Sequence, residues 1–324
     1  MFELPTVLRA DELLDKAFGR AGKATTAKGK DRATRSRNLA VAKVQIAGQT
    51  IGSTLRSYVK GFPSLDRLPP FYAELIDVLL DRGRLKKHLG AVDWAADRAE
   101  AVTREAVRKI GRSELGELLT LRKAAFGRLA SLVDQVSGDL DGLVEARKAL
   151  RRLPNIDPNV PTIVVAGYPN VGKSAFVRAV STGRPRVAEY PFTTKGVSLG
   201  HFERDGRRYQ IIDTPGLLDR PMEKRNRIER QAIAALAHLA DVVLFLLDPS
   251  ETCGYTIDEQ TRLLASVQDV FRDVAFVVVE NKADLDGPAS GHPRISAVRG
   301  DGLNEALDRV LERLTSRAPG GAPR

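Results

Sequence analysis

The strongest constraint on this 324-residue chain is an apolar run that feeds directly into a glycine-bracketed loop. Thr162-Ile163-Val164-Val165-Ala166 reads as a strand buried on both faces. Gly167-Tyr168-Pro169-Asn170-Val171-Gly172-Lys173-Ser174 follows, fitting G-x-x-x-x-G-K-[ST], and a helical pattern opens at Lys173. The glycines let backbone amides turn inward, and the helix N-terminus adds favourable potential for anions. The loop from Asn170 through Val171, Gly172, Lys173, Ser174 and Ala175 is therefore expected to wrap phosphates. Lys173 is expected to bridge the β- and γ-phosphates, and the Ser174 hydroxyl to ligate Mg²⁺.

Around this motif strands alternate with helices. Val197–Glu203 and Arg207–Ile212 flank Asp205-Gly206, a hairpin signal, and Val242–Leu247 and Val274–Val279 read as two more buried strands. Helices are expected at Lys173–Ser181, Arg225–Leu239, Asp258–Phe271 and Leu303–Leu314. The alternation predicts an α/β fold, a doubly wound, mostly parallel sheet over residues 158–316. Leu153 to Pro161 holds three prolines and reads as a linker. Before it the pattern is all-helical. Val41, Val44, Ala47, Ile51, Leu55 and Val59 form one stripe, and Phe71–Leu80, Ala95–Ile110, Leu115–Val133 and Leu143–Leu150 form others, predicting a helical bundle over 1–157. Residues 317–324 read as a disordered tail.

Charge separates the same two regions. Of the net +10, nearly all lies in residues 1–157, which hold 29 Lys+Arg against 20 Asp+Glu. Arg20, Lys23, Lys28, Lys30, Arg32, Arg35, Arg37 and Lys43 face a single acid, Asp31. Nucleic acid rewards such a cluster through counterion release, although a solvated basic segment has the same composition. The one cysteine, Cys253, excludes an intrachain disulfide and reads as a packed thiol. His88, His201, His238 and His292 lack ligand spacing. No apolar run reaches membrane-spanning length and the first residues do not resemble a signal peptide, so a cytoplasmic protein is expected.

Three further stretches follow strands in a fixed order. Asp213-Thr214-Pro215-Gly216 places a carboxylate where it can hold Mg²⁺ through water and an amide, that of Gly216, where it can report on a γ-phosphate. Asn281-Lys282-Ala283-Asp284 suits guanine: Asp284 accepts from the ring N–H and the exocyclic amine together, Lys282 lies along the base plane, and Asn281 braces the phosphate loop. Ser296-Ala297 can present a backbone amide to the guanine oxygen. Alone, each could be an ordinary turn; their order and spacing carry the reading. In Pro191–Gly196, Thr194, in preference to Thr193, is expected to complete the Mg²⁺ shell and act as a switch. Lys173, Thr194 and Gly216 are thus the expected catalytic residues, and Ser174, Thr194 and Asp213 the metal ligands. Leu217 stands where Ras-type enzymes carry a water-orienting glutamine, so slow hydrolysis is expected. Asn170 suggests K⁺ as a source of positive charge.

With these residues in place, the chain resembles the Nog family of nucleolar-type GTP-binding proteins, in the Obg-like branch. The resemblance rests on Leu153–Asn159, Gly167–Ser174, Pro191–Gly196, Ile212–Leu218, Arg225-Asn226, Ala235–Leu239 and Asp248–Tyr255. Phe62–Asp66 and Pro70–Leu75 match as well. The form resembled is the compact archaeal type without the eukaryotic C-terminal extension. The resemblance implies a GTPase of large ribosomal subunit assembly, with the helical domain on ribosomal RNA. GTP or GDP with Mg²⁺, and K⁺ through Asn170, are the expected cofactors. Ribosomal RNA and the large-subunit precursor are the expected partners of a monomer with no membrane role. The alternative is a regulatory GTPase that recruits a protein effector without touching RNA.

Overall fold

The structure, a computed structural model, describes residues 4–25, 31–190, 196–288 and 291–316. Its contacts group into two units. One joins Phe2–Asp66 to Leu80–Arg151, and the other joins Arg67–Leu79 to Arg152–Arg324.

The first unit is helical, with α1 (Ala10–Gly22) and α2 (Arg32–Gly61); α3 (Pro70–Leu80) belongs almost wholly to the other unit. Then come α4 (Arg82–Arg112), α5 (Leu118–Gln135) and α6 (Ser137–Arg151). Asp31 caps α2 by accepting from the Thr34 amide at 2.8 Å. Asp81, at φ 55°, caps α4 through the Gly83 and Arg84 amides at 3.0 and 3.2 Å. This cap starts α4 well ahead of the expected Ala95. Small side chains let α2 and α4 approach closely. A Cβ on Gly48 would lie 1.8 Å from Thr103 Oγ1 and 2.9 Å from Thr103 Cβ, so no rotamer of Thr103 would make room. Ala40, Val44, Ala106, Ile110, Leu118 and Ala125 form one buried cluster across α2, α4 and α5.

The second unit carries the sheet. Its strands are β1 (Thr162–Ala166), β2 (Arg186–Ala188), β3 (Val197–Arg204), β4 (Arg207–Asp213), β5 (Val242–Leu247) and β6 (Ala275–Glu280), in the order β2-β3-β4-β1-β5-β6. β4, β1, β5 and β6 run parallel, while β2 and β3 are antiparallel to their neighbours. The helices are α7 (Lys173–Val180), α8 (Arg227–Ala237), α9 (Ile257–Val270) and α10 (Leu303–Thr315), completing the doubly wound α/β architecture. β1 and β5 are buried at every residue, as continuous apolar runs require.

Residues 67–79, expected in the bundle, group with the sheet. Tyr72 Oη donates to Ile156 O at 2.6 Å and accepts from the Ile156 amide at 3.2 Å, tying α3 to the linker. Glu74 meets His238 at 3.2 Å. The expected tail, 317–324, lies outside the described residues. Among the described residues no helix is long and apolar enough to cross a membrane.

Candidate functional site

The carboxyl ends of β1, β4, β5 and β6 bring together the loops that follow them, where open α/β sheets place their ligands. After β1, Gly167 has φ 138° and Gly172 has φ 102°. A Cβ on Gly167 would sit 2.6 Å from Leu246 O, and one on Gly172 would sit 2.0 Å from Asn281 Nδ2. Only glycine satisfies both the dihedrals and the space. Lys173 opens α7 with its side chain buried, donating Nζ to Gly167 O at 2.8 Å and Tyr168 O at 2.7 Å. Burial pulls its ammonium below the usual lysine range, against the pull of Asp213. The adjacent Ser174 hydroxyl donates to Asp213 Oδ2. Asp213 Oδ1 is buried with no hydrogen-bond partner, and burial raises this carboxyl above the ordinary range. A hydroxyl, a carboxylate with an unused buried oxygen and a buried ammonium fit a bound phosphate and an oxygen-liganded Mg²⁺.

The loop after β6 supplies the second half. Asn281 is buried and bridges two loops: Nδ2 donates to Val171 O at 2.8 Å, and Oδ1 accepts from the Ala297 amide at 3.0 Å. Its side chain thus links the phosphate loop to the stretch around Ala297. The Ala297 amide is engaged by it, and the Ser296 amide donates to Asp301 O at 3.0 Å. Asp284 Oδ1 accepts from Ser296 Oγ at 2.6 Å, which holds its carboxyl below the ordinary range. Lys282 Nζ donates to Asp248 Oδ2 at 2.6 Å and to Thr252 Oγ1 at 2.8 Å.

The comparisons with known proteins bear on this arrangement. Residues 2–157 match the family model described as the NOG1 N-terminal helical domain, and residues 227–284 match that of Nucleolar GTP-binding protein 1 (NOG1). An uncharacterized protein of Methanocaldococcus jannaschii is 37% identical, the match covering 87% of this chain and 80% of that protein. The chain belongs to the NOG1 family. The nucleolar GTP-binding protein 1 of Saccharomyces cerevisiae is 39% identical over 88% of this chain and 45% of its own length. The NOG1 region represented here thus spans a little under half of that curated relative. A crystal structure of a nucleolar GTP-binding protein 1 from Plasmodium falciparum is 38% identical, covering 51% of this chain and 91% of that one at a TM-score of 0.46.

Within this NOG1 site, sequence reasoning left three features unassigned. Asp248, at the end of β5, is fully buried and accepts from Lys282, from Ser250 Oγ at 2.5 Å and from the Cys253 amide at 2.8 Å. Burial works to raise its carboxyl, but these donors hold it below the ordinary range. Its role is to fix Lys282, and the strand-end placement of Asp248-Pro249-Ser250 was the available signal. Tyr168 stacks on Tyr255 with ring centroids 4.0 Å apart, steadying the phosphate loop. Arg225 is buried against the loop after β4, and burial lowers its pKa.

The remaining expected residues divide. Gly216 follows β4 with φ 81°, and Leu217 beside it is buried, pointing no polar group toward any water. Thr193 and Thr194 lie outside the described residues, as do Lys28 and Lys30 of the basic segment. Arg37 of that segment donates to Ser113 O at 3.0 Å, so its guanidinium has a role within the helical unit. Asn170 adopts φ 62° in the phosphate loop. Cys253 is buried and its thiol is pushed up by burial, consistent with a packed side chain.

Proposed function

We propose that this NOG1-family chain binds GTP with Mg²⁺, hydrolyses it slowly, and uses the nucleotide state to control its grip on ribosomal RNA during large-subunit assembly. The observation that carries the nucleotide reading is the Ser174–Asp213 pair beside buried Lys173, with Asp213 Oδ1 left without a partner. Lys173 and the amides from Asn170 to Ala175 would hold the phosphates. Ser174, Asp213 and Thr194 would hold Mg²⁺, whose charge offsets that of the phosphate oxygens. Asp284 would select guanine, with Lys282 fixed by Asp248 and Asn281 joining base loop to phosphate loop. Gly216 would sense the γ-phosphate. Leu217 cannot orient water, so turnover is slow unless a partner contributes, and K⁺ at Asn170 would supply charge that no arginine has been assigned to supply.

The RNA reading is supported by the NOG1 helical domain's charge. Lys60, Arg104 and Arg108 line a groove between α2 and α4 with Gln45 and Gln49, and have no ion-pair partner among the described residues. Arg56 in the same groove is neutralised by Glu100 and Asp97 at 2.5 and 2.6 Å. The names of the relatives, nucleolar GTP-binding proteins, agree with a role in ribosome assembly. The protein is expected to act as a monomer in the cytoplasm. Sedimentation through a sucrose gradient with a GTP analogue or GDP tests this function. Co-migration with the large-subunit precursor in the analogue-bound form alone is the expected result. Absence from that fraction in both states, with guanine nucleotide binding intact, would favour a regulatory GTPase acting on a protein effector.

A further inference from the structure

The Gly216 amide, assigned to the γ-phosphate, already has an acceptor. Gly216 N–H donates to Asp219 Oδ2 at 2.8 Å, and Asp219 Oδ1 accepts from Arg225 Nη2 at 3.1 Å. The Arg225 side chain is wholly enclosed, at 0% exposure, and also donates Nη1 to Gly216 O at 2.5 Å and Nη2 to Arg220 O at 3.4 Å. One guanidinium therefore grips both the carbonyl of Gly216 and the carboxylate that occupies its amide. Arg225 directly precedes Asn226, which caps α8 by accepting from the Glu229 amide at 2.8 Å, so the grip is anchored to a helix start. Enclosing an arginine is costly unless its charge is met, and here Asp219 meets the charge and the loop that carries Gly216 meets Nη1 and Nη2, leaving Nε without a partner.

We propose that Asp219 and Arg225 are positioning residues that set the discrimination between GTP and GDP: Asp219 competes with the γ-phosphate for the Gly216 amide, and Arg225 holds Asp219 in the competing position. The inference rests on the guanine-nucleotide reading. GDP offers no γ-oxygen, so the Gly216–Asp219 bond persists beside it. GTP must displace a charged acceptor and bring a second anion near the same carboxylate. Its affinity therefore carries a cost that GDP does not bear, and the loop stays in its resting arrangement until the triphosphate supplies a better acceptor.

Calorimetric titration with GDP and with a non-hydrolysable GTP analogue, both with Mg²⁺, tests this on wild type, D219A, D219N and R225K. D219A is expected to raise the analogue-to-GDP affinity ratio about three- to tenfold, or about 0.7–1.4 kcal/mol, the net scale of one hydrogen bond. GDP affinity should stay within about twofold. D219N, whose neutral oxygen competes less well, should move the ratio the same way by less, and it carries the test if D219A fails to fold. R225K keeps a cation but cannot grip both groups, and should also raise the ratio. A brace that only stabilised the loop would weaken both nucleotides together. An unchanged or lowered ratio in D219N with GDP binding intact therefore overturns the proposal. Wild type that bound neither nucleotide would instead bring down the guanine-nucleotide reading itself.

Discussion

Replacing Asn281 by alanine should destabilise the site through two buried backbone groups at once. Asn281 is 3% exposed and satisfies two buried backbone groups, Val171 O at 2.8 Å and the Ala297 amide at 3.0 Å. Truncation leaves both without partners, and each orphaned group costs about 1–3 kcal/mol. Water entering the new space would recover part of this, so Asn281→Ala is expected to lose about 2–4 kcal/mol of unfolding free energy. That is a large fraction of the ~5–15 kcal/mol typical of a domain. Asn281→Asp adds a test of direction. Its carboxylate can still accept from the Ala297 amide but would set an oxygen against Val171 O, so it should be no better than alanine. Urea unfolding of the nucleotide-free protein, followed by circular dichroism and extrapolated linearly, reads the difference. An Asn281→Ala protein within about 0.5 kcal/mol of wild type would refute the claim that this side chain ties the two loops together.

Because burial raises the Asp213 carboxyl, the folded state binds that proton more tightly than the unfolded chain. Its contribution is full below the ordinary carboxylate range and is lost as pH rises through the raised value. Nucleotide-free Asp213→Asn should therefore lose less stability than wild type as pH rises above the ordinary carboxylate range, while losing Mg²⁺-dependent nucleotide affinity; parallel stability curves for the two would contradict this. Changing Lys60, Arg104 and Arg108 to glutamine should weaken RNA binding and flatten its salt dependence by about 0.7–0.9 units of slope for each phosphate no longer neutralised. Unchanged filter-binding curves across salt would remove the α2–α4 groove from the RNA reading. Single-turnover hydrolysis should be faster in K⁺ than in Na⁺, and equal rates would leave Asn170 without its assigned role.

How much of this was legible in the sequence depended on how local the cause was. β1 and β5 are buried on both faces, so unbroken apolar runs marked them to the residue. β2 escaped notice because its three residues are largely exposed at a sheet edge, with Val187 at 72%. α1 was missed because it buries only Leu13, Ala17 and Ala21, a stripe too small in bulk to stand out. α3 read correctly as a helix, but its grouping with the sheet depends on Tyr72 meeting Ile156, 84 residues away. The same distinction holds at the site. The glycines, Lys173, Ser174 and the Asn281–Asp284 stretch announce themselves by spacing. Asp248 and Asp219 look like ordinary loop carboxylates until Lys282 and Arg225 are seen to engage them.

The central claim is that one site reads both phosphate and base, through Lys173 with the loop amides and through Asp284. Calorimetry of the folded protein with Mg²⁺, titrating GDP and then ADP, measures it directly. Saturable heat with GDP and at least a hundredfold weaker response to ADP is expected, on the scale set by a buried bidentate contact that only guanine satisfies, about 3 kcal/mol or more. Equal affinity for the two nucleotides, or no heat with GDP, would contradict the account.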